Sequence, residues 1–233
     1  LENRYKAQIV LSKPAFAFRE TVRKKATVTG THKKQSGGHG QYGVVVMEFE
    51  NSGDLDTPYV FEERVVGGAV PKNFFPAIEK GIQESVQRGP LAGYPVVGLK
   101  ATLIDGKYHP VDSSEMAFKT AASLAFKQGV MEAQPVLLEP IATVEVIVPN
   151  RFSGDVMGDM NKRRGRILGM DHLDGGKQKV TAEVPMSELY GYSTDLRSMT
   201  GGIGDFSYEF TRYEQAPADV QKKEIEARAA KEA

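Results

Sequence analysis

The chain has 233 residues, of which 40% are hydrophobic, so it is long enough to bury the cores of one or two domains. Its 30 basic and 30 acidic residues give a formal net charge of zero, which excludes a chain-wide basic surface for nucleic acid and limits any RNA contact to local patches. The absence of cysteine excludes disulfides and thiolate metal sites, and no apolar run resembles a membrane span or a signal peptide. We therefore expect a cytoplasmic protein without a membrane partner.

An extended pattern at 5–11 predicts a first strand, and a glycine-rich loop at 33–43 leads directly into a β-branched strand at 44–50. This loop contains the spacing G-x-G-x-x-G at 38–43. A dinucleotide site, however, needs a strand before the glycines and a helix after them. Because these glycines precede a strand, we interpret the segment as either a flexible hairpin loop or an RNA-contacting loop.

Two amphipathic helices are predicted in the first half of the chain. The first ends before Gly89-Pro90, and its apolar positions are Phe74, Phe75, Ile78, Ile82 and Val86. A strand at 96–104 and a polar loop at 105–111 follow it. The run Asp112-Ser113-Ser114-Glu115 is typical of a capping box and predicts a second helix that ends near Gly129. The apolar face of that helix is expected to comprise Ala117, Phe118, Ala121, Leu124 and Ala125.

A proline-rich segment at 134–140 predicts a domain boundary. Beyond it, the hydrophobic pattern predicts strands at 141–148, 166–170, 178–184 and 206–213. Two helices, expected to be capped by Ser153 and Ser187, extend to about residues 163 and 199. This order, β-α-β-β-α-β, is that of the ferredoxin-like fold. The last residues, 218–233, predict a charged helix that either packs on the body or frays.

The sequence offers no catalytic or metal-binding arrangement. A phosphate loop of the form G-x-x-x-x-G-K-[ST] is absent, and the four histidines lack the spacing that suits a metal. His39 and His109 instead lie in two loops that also carry lysine, glycine and tyrosine. If these loops converge, their basic, amide and aromatic groups suit irregular RNA. We expect both histidines to be exposed and replaceable at little cost in stability.

A second basic cluster lies at 162–166, where the charges suit either a solvated helix end or a phosphate contact.

Several motifs together resemble those of bacterial elongation factor G, a translational GTPase. They are Lys13-Pro14, Arg19-Glu20-Thr21 and the segments 35–43, 80–83, 89–96, 108–115, 135–141, 154–159 and 162–165. The resemblance runs in order along essentially the whole chain. It implies an α+β fold with a tail of the third domain at 1–12, a fourth domain at 13–135, a ferredoxin-like fifth domain at 136–217 and a C-terminal helix at 218–233. The family's fourth domain is a β-α-β domain of ribosomal-protein type with a left-handed crossover.

The resemblance also implies which residues act. Those expected to contact tRNA and mRNA at the tip of the fourth domain are Lys33, Lys34, Gln35, Ser36, Gly37, Gly38, His39, Gly40, Gln41, Tyr42, Tyr108, His109, Asp112, Ser113 and Ser114. Those expected to contact large-subunit RNA are Lys162, Arg163, Arg164 and Arg166. GTP and Mg²⁺ would bind in N-terminal domains that this chain lacks, so the fragment itself is expected to hold no cofactor and to be no enzyme.

The implied partners are both ribosomal subunits, tRNA and mRNA, with the protein acting as a monomer. Two positions depart from the family pattern, since many members carry arginine where this chain has His39 and an acidic residue where it has Pro110. Besides a translocation factor, the sequence therefore leaves open a diverged paralogue, such as a ribosome-directed GTPase used in recycling or ribosome protection. It also leaves open a stand-alone RNA-binding module.

Overall fold

The computed structural model describes residues 17–233, which divide into two compact units. The first unit comprises Phe18–Leu138 together with Gln215–Ala233, and the second comprises Glu139–Glu214. The expected tail of a third domain at 1–12, with its strand at 5–11, lies outside the described residues. In chain order the elements are β1 (Arg19–Val22), β2 (Ala26–Lys34), β3 (Gln41–Asn51), β4 (Tyr59–Glu63), α1 (Phe75–Ser85), β5 (Leu99–Lys107), α2 (Glu115–Glu132), β6 (Pro135–Pro149), α3 (Ser153–Lys162), β7 (Arg166–Leu173), β8 (Lys177–Pro185), α4 (Tyr192–Thr200), β9 (Asp205–Gln215) and α5 (Ala218–Glu232).

The first unit is built on a sheet of strand order β2-β3-β5-β4. Strands β2 and β3 form a long antiparallel hairpin, which joins Ala26 to Phe49 at one end and Lys34 to Gln41 at the other. Strand β4 pairs with β5 in parallel, so α1 lies within a β-α-β crossover between neighbouring strands. The left-handed sense of that crossover stays a prediction.

Helix α2 packs closely on the hairpin because a glycine on each side, Gly30 of β2 and Gly129 of α2, lies at the contact. A Cβ added at Gly30 would lie 2.2 Å from the backbone oxygen of Ala121, and one added at Gly129 would lie 2.2 Å from the Phe49 ring. Leu124 was expected on the buried face but is 44% exposed, whereas its neighbour Ala125 is fully buried. Leu124 lies at the edge of the buried stripe of α2, which comprises both small residues and Phe118, Phe126 and Val130.

The start of α2 also differs from the predicted capping box. Ser114, rather than Asp112, is the N-cap residue, and its hydroxyl accepts a hydrogen bond from the Ala117 amide at 3.1 Å. Glu115 is consequently the first residue of the helix instead of the residue that closes the box.

The second unit is the predicted ferredoxin-like fold. Its strands lie in the order β9-β6-β8-β7, with α3 and α4 inserted after the first and third of them in the chain. Ser153 and Ser187 do not cap these helices as expected. A short 3-10 turn precedes each helix, and Ser187 lies inside one of them while Ser153 donates to the Asn150 carbonyl. Ser153 is thus the first residue of α3 and Ser187 lies within a 3-10 turn, so neither serine is an N-cap.

Strand β6 extends further than its prolines suggested. It begins at Pro135 instead of near Ile141, and residues 135–138 pair with β1 while residues 141–149 pair with β8. Pro140 lies between these two registers, so its missing N–H falls where the strand changes partner.

The terminal helix α5 packs on the first unit and does not fray. Gln221 accepts the Leu137 amide at 3.1 Å, and the Arg228 Nε donates to the Ala92 carbonyl at 2.9 Å. The Arg228 guanidinium also lies 4.7 Å from the centre of the Tyr94 ring. These contacts make α5 part of the first unit's structure.

Candidate nucleic-acid interface

The loop of the β2–β3 hairpin forms one half of the candidate interface. Lys33 and Lys34 end β2, and residues 35–40 connect the two strands. Gly37 and Gly38 have φ angles of 39° and 132°, where residues with a Cβ are strained. The glycines therefore give the loop a shape that larger residues could not adopt easily, and they leave its backbone open to close approach by a ligand.

Three lysines supply positive charge at this end of the sheet. Lys33 and Lys34 are exposed, and within residues 17–233 neither ammonium group lies near enough to a carboxylate to form an ion pair. Lys107 is also exposed and ends β5 beside Val44. Sequence reasoning did not include Lys107, although its position directly before the second loop is a signal that could have identified it.

The β5–α2 loop forms the other half and is shaped by His109. The Nδ1 atom of His109 accepts the amides of Val111 at 3.2 Å and Asp112 at 3.0 Å. Because Nδ1 is an acceptor in this arrangement, the ring carries its hydrogen on Nε2. His39 and His109 are both exposed, as expected, and the Nδ1 atom of His109 in addition accepts two amides of its own loop. That either histidine can be replaced at little cost in stability stays a prediction.

The two loops meet, as the sequence led us to expect. The Tyr42 amide donates to the Asp112 carbonyl at 2.9 Å, and the Ser113 hydroxyl donates to the Tyr42 carbonyl at 2.7 Å. The rings of Tyr42 and His109 are 6.2 Å apart and tilted by 59°. Histidine, tyrosine and lysine groups are consequently gathered at one end of the first unit.

Glycine makes this approach possible on the hairpin side. A Cβ at Gly40 would lie 2.9 Å from the Asp112 carboxylate, and one at Gly43 would lie 3.0 Å from the backbone of Ala117. The glycines at 40 and 43 therefore serve the contact between the loops and α2. This packing role explains two of the glycines in the spacing that superficially resembled a nucleotide-binding motif.

The basic cluster of the second unit is largely occupied by internal ion pairs. Arg164 forms a bidentate pair with the buried Glu139 at 2.9 and 3.0 Å, and these hydrogen bonds raise the pKa of its guanidinium above the ordinary value. Arg163 contacts Asp159 at 2.9 Å and is only 11% exposed in its side chain.

The remaining basic side chains of this cluster are more accessible. Arg166 pairs with Glu183 at 3.1 Å but is 70% exposed in its side chain, and Lys162 is exposed. We therefore assign Arg163 and Arg164 to the stability of the second unit, and we keep Lys162 and Arg166 as candidates for RNA contact.

Residues 17–233 contain no cluster of three or more histidine or carboxylate side chains that could hold a metal ion. Within the same range, no helix combines the length and apolar character that crossing a membrane requires.

Comparison with known proteins identifies both units. Residues 14–134 match the family model described as elongation factor G, domain IV, and residues 136–224 match the one described as the elongation factor G C-terminus. A crystal structure of a protein from Thermus thermophilus is 46% identical in sequence and superimposes with a TM-score of 0.83 over 94% of this chain. The chain spans 32% of the length of that protein. With both units matched, the chain belongs to the elongation factor G family and carries the fourth and C-terminal domains of this translation factor.

Proposed function

We propose that this chain is the C-terminal arm of a ribosomal translocase and that its tip contacts the tRNA–mRNA duplex during GTP-dependent translocation. The observation that carries the proposal is the convergence of two loops at one end of the first unit. There, exposed lysines lie beside a ring pair and a glycine-rich backbone.

The chemistry of this tip suits a folded RNA substrate. Lysine ammonium groups neutralise phosphates, and such contacts position a protein without reading sequence. Exposed aromatic rings add stacking affinity, and Tyr108 is 44% exposed beside His109. The tip thus combines charge with stacking groups, as contact with an irregular RNA requires.

The proposed contacts of the two units extend to both ribosomal subunits. Lys162 and Arg166 of the second unit are proposed to contact large-subunit RNA, while the first unit reaches the small subunit. GTP and Mg²⁺ would bind in N-terminal domains outside this chain, so the arm would transmit a movement and would not catalyse hydrolysis. The protein is proposed to act as a monomer in the cytoplasm.

The test replaces both tip lysines, Lys33→Ala with Lys34→Ala, in the full-length parent. We expect slower translocation with ribosome-stimulated GTP hydrolysis nearly unchanged, because the hydrolytic site lies in other domains. The slope of log affinity against log salt should also fall by about 2, one for each lost phosphate contact. The matched control replaces two exposed lysines that are adjacent in the sequence of α5, Lys222→Ala with Lys223→Ala, and should behave like the parent.

Two results would contradict the proposal. One is translocation at the parental rate by the Lys33/Lys34 variant. The other is a full-length parent that fails to translocate but supports ribosome recycling or ribosome protection, which would assign the arm to one of those functions.

A further inference from the structure

Ser113 occupies the junction between the two tip loops. Its hydroxyl donates to the Tyr42 carbonyl at 2.7 Å on the hairpin and accepts the His109 amide at 2.8 Å on its own loop. The Ser113 side chain is partly buried, and of the two bonds the one to the Tyr42 carbonyl is partly buried whereas the one from the His109 amide is exposed. One hydroxyl therefore uses its donor and an acceptor lone pair within the protein.

The residues on either side of Ser113 extend the same connection. The Asp112 carbonyl accepts the Tyr42 amide at 2.9 Å, and Ser114 caps α2. Both backbone groups of Tyr42 are thus bonded to residues 112–113, and the next residue fixes the loop to a helix. The hairpin loop is held to α2 through three consecutive residues.

Loss of the Ser113 hydroxyl would release two groups at once. The Tyr42 carbonyl and the His109 amide would each lose a partner, while the Tyr42 amide would keep its bond to Asp112. The His109 ring would also be held less firmly. The bond from the His109 backbone amide to Ser113 helps to place the loop, and the Val111 and Asp112 amides of this loop donate to the ring Nδ1 atom.

We propose that Ser113 is a positioning residue for translocation and not an RNA contact. Its hydroxyl locks the two loops into one surface and holds His109 so that the Nε2 hydrogen is available to the RNA. This inference rests on the proposed function of the tip, but the lock itself can be measured without the ribosome.

The first measurement is amide hydrogen exchange in the 233-residue chain. Ser113→Ala should speed exchange at the His109 amide by about fivefold, the effect expected for loss of one hydrogen bond of ordinary strength. Ser113→Thr keeps a hydroxyl and should restore slow exchange. Ser198→Ala, at an exposed serine of α4, is the control and should leave the His109 amide unchanged.

The second measurement is translocation by the same variants in the full-length parent. Ser113→Ala should slow translocation by about fivefold at unchanged GTP hydrolysis, and Ser113→Thr should restore it. A Ser113→Ala variant with parental exchange would overturn the lock. Failure of Ser113→Thr to restore either readout would also overturn it, because a property other than the hydroxyl would then matter.

The two proposals fail in different ways. If Ser113→Ala loosens the loop but translocates at the parental rate, while the Lys33/Lys34 variant is slow, the positioning role is refuted and the proposed function stands. If the Lys33/Lys34 variant and Ser113→Ala both translocate normally, the proposed function fails, and faster exchange in Ser113→Ala would report a purely structural bond.

Discussion

Glu20 is a fully buried carboxylate that holds a loop of the first unit in place. Its Oε1 accepts the Leu91 amide at 2.9 Å, and its Oε2 accepts the amides of Ala92 at 3.1 Å and Tyr94 at 2.8 Å. The packing is tight, because a Cβ at Gly89 would lie 2.2 Å from the Glu20 carboxylate. We expect Glu20→Ala to be among the most destabilising single changes in this unit.

The size of this destabilisation follows from the three amides that Glu20→Ala would leave without an acceptor. Hydrogen bonds to charged groups contribute about 1.5–3 kcal/mol each, and the recovered cost of burying the carboxylate offsets part of the loss. A buried donor left without an acceptor typically costs about 1–3 kcal/mol, so loss of the acceptor of three amides gives about 3–5 kcal/mol once this offset is included. We expect a loss in this range from the free energy of unfolding of the first unit. Glu20→Gln places an amide donor against backbone donors and should cost about 1–3 kcal/mol.

The assay is urea denaturation of the 233-residue chain, followed by circular dichroism and tyrosine fluorescence. The exposed residue Glu226 of α5 provides the control, since Glu226→Ala should change the stability by no more than about 0.5 kcal/mol. A Glu20→Ala variant that loses less than about 1 kcal/mol would refute the view that the three amides depend on this carboxylate.

Three further outcomes are expected. Burial raises the pKa of Glu20 above its usual value of 4.5, against the opposing effect of its three amide donors, so its folded pKa exceeds its unfolded pKa. Its contribution to stability is therefore complete below pH 4.5 and is lost as the pH rises through the pKa of the folded state. Urea titrations should accordingly show that the parent exceeds Glu20→Gln in free energy of unfolding by more at low pH than at about pH 7. Truncation after Gln215 removes α5 together with its hydrogen bonds to Leu137 and Ala92, and it should destabilise the first unit by about 2 kcal/mol. An unchanged urea midpoint would contradict the structural role of this helix. Arg164→Ala removes the bidentate partner of the Glu139 carboxylate, and Glu139 is only 3% exposed. This change should destabilise the second unit by about 2 kcal/mol, whereas Lys162→Ala should have little effect on the melting temperature of that unit.

Periodicity predicted the elements well where one face of an element is buried. The ferredoxin-like order and the two helices of the first unit could be read from apolar spacing and from glycine or proline at the ends. Strands β1, β2 and β4 were not predicted. Errors occurred where local rules compete. Pro135 and Pro140 favour a break, but β6 begins at Pro135 and continues through Pro140, where it changes partner from β1 to β8.

Cap prediction failed for a related reason. Ser153 and Ser187 satisfy the composition of an N-cap, yet 3-10 turns begin first and place the helix starts elsewhere. Leu124 fits the helical spacing of α2 but lies on an exposed side, since the buried stripe runs through Ala121, Ala122, Ala125 and Phe126. Spacing alone does not report how near two elements lie.

The tip could be located from the sequence, but its internal chemistry could not. The sequence indicated that two loops with similar residues could converge, and they do. The double role of His109 and the central position of Ser113 depend on hydrogen bonds that include one between residues 71 positions apart, which no local pattern encodes. Likewise, the run of arginines at 163–166 resembled a free basic patch, while the partners Glu139 and Glu183 are distant in sequence.

The most direct test of the central claim is a crosslink from the tip on the ribosome. The chain has no cysteine, so His39→Cys provides a single attachment point for a short photoreactive group once any cysteine elsewhere in the full-length parent has been removed. On ribosomes awaiting translocation, residue 39 should crosslink to tRNA, mRNA or small-subunit RNA, and a probe at Ser198→Cys should not. Crosslinks from residue 39 to large-subunit RNA only, on ribosomes where the factor still hydrolyses GTP, would contradict the account.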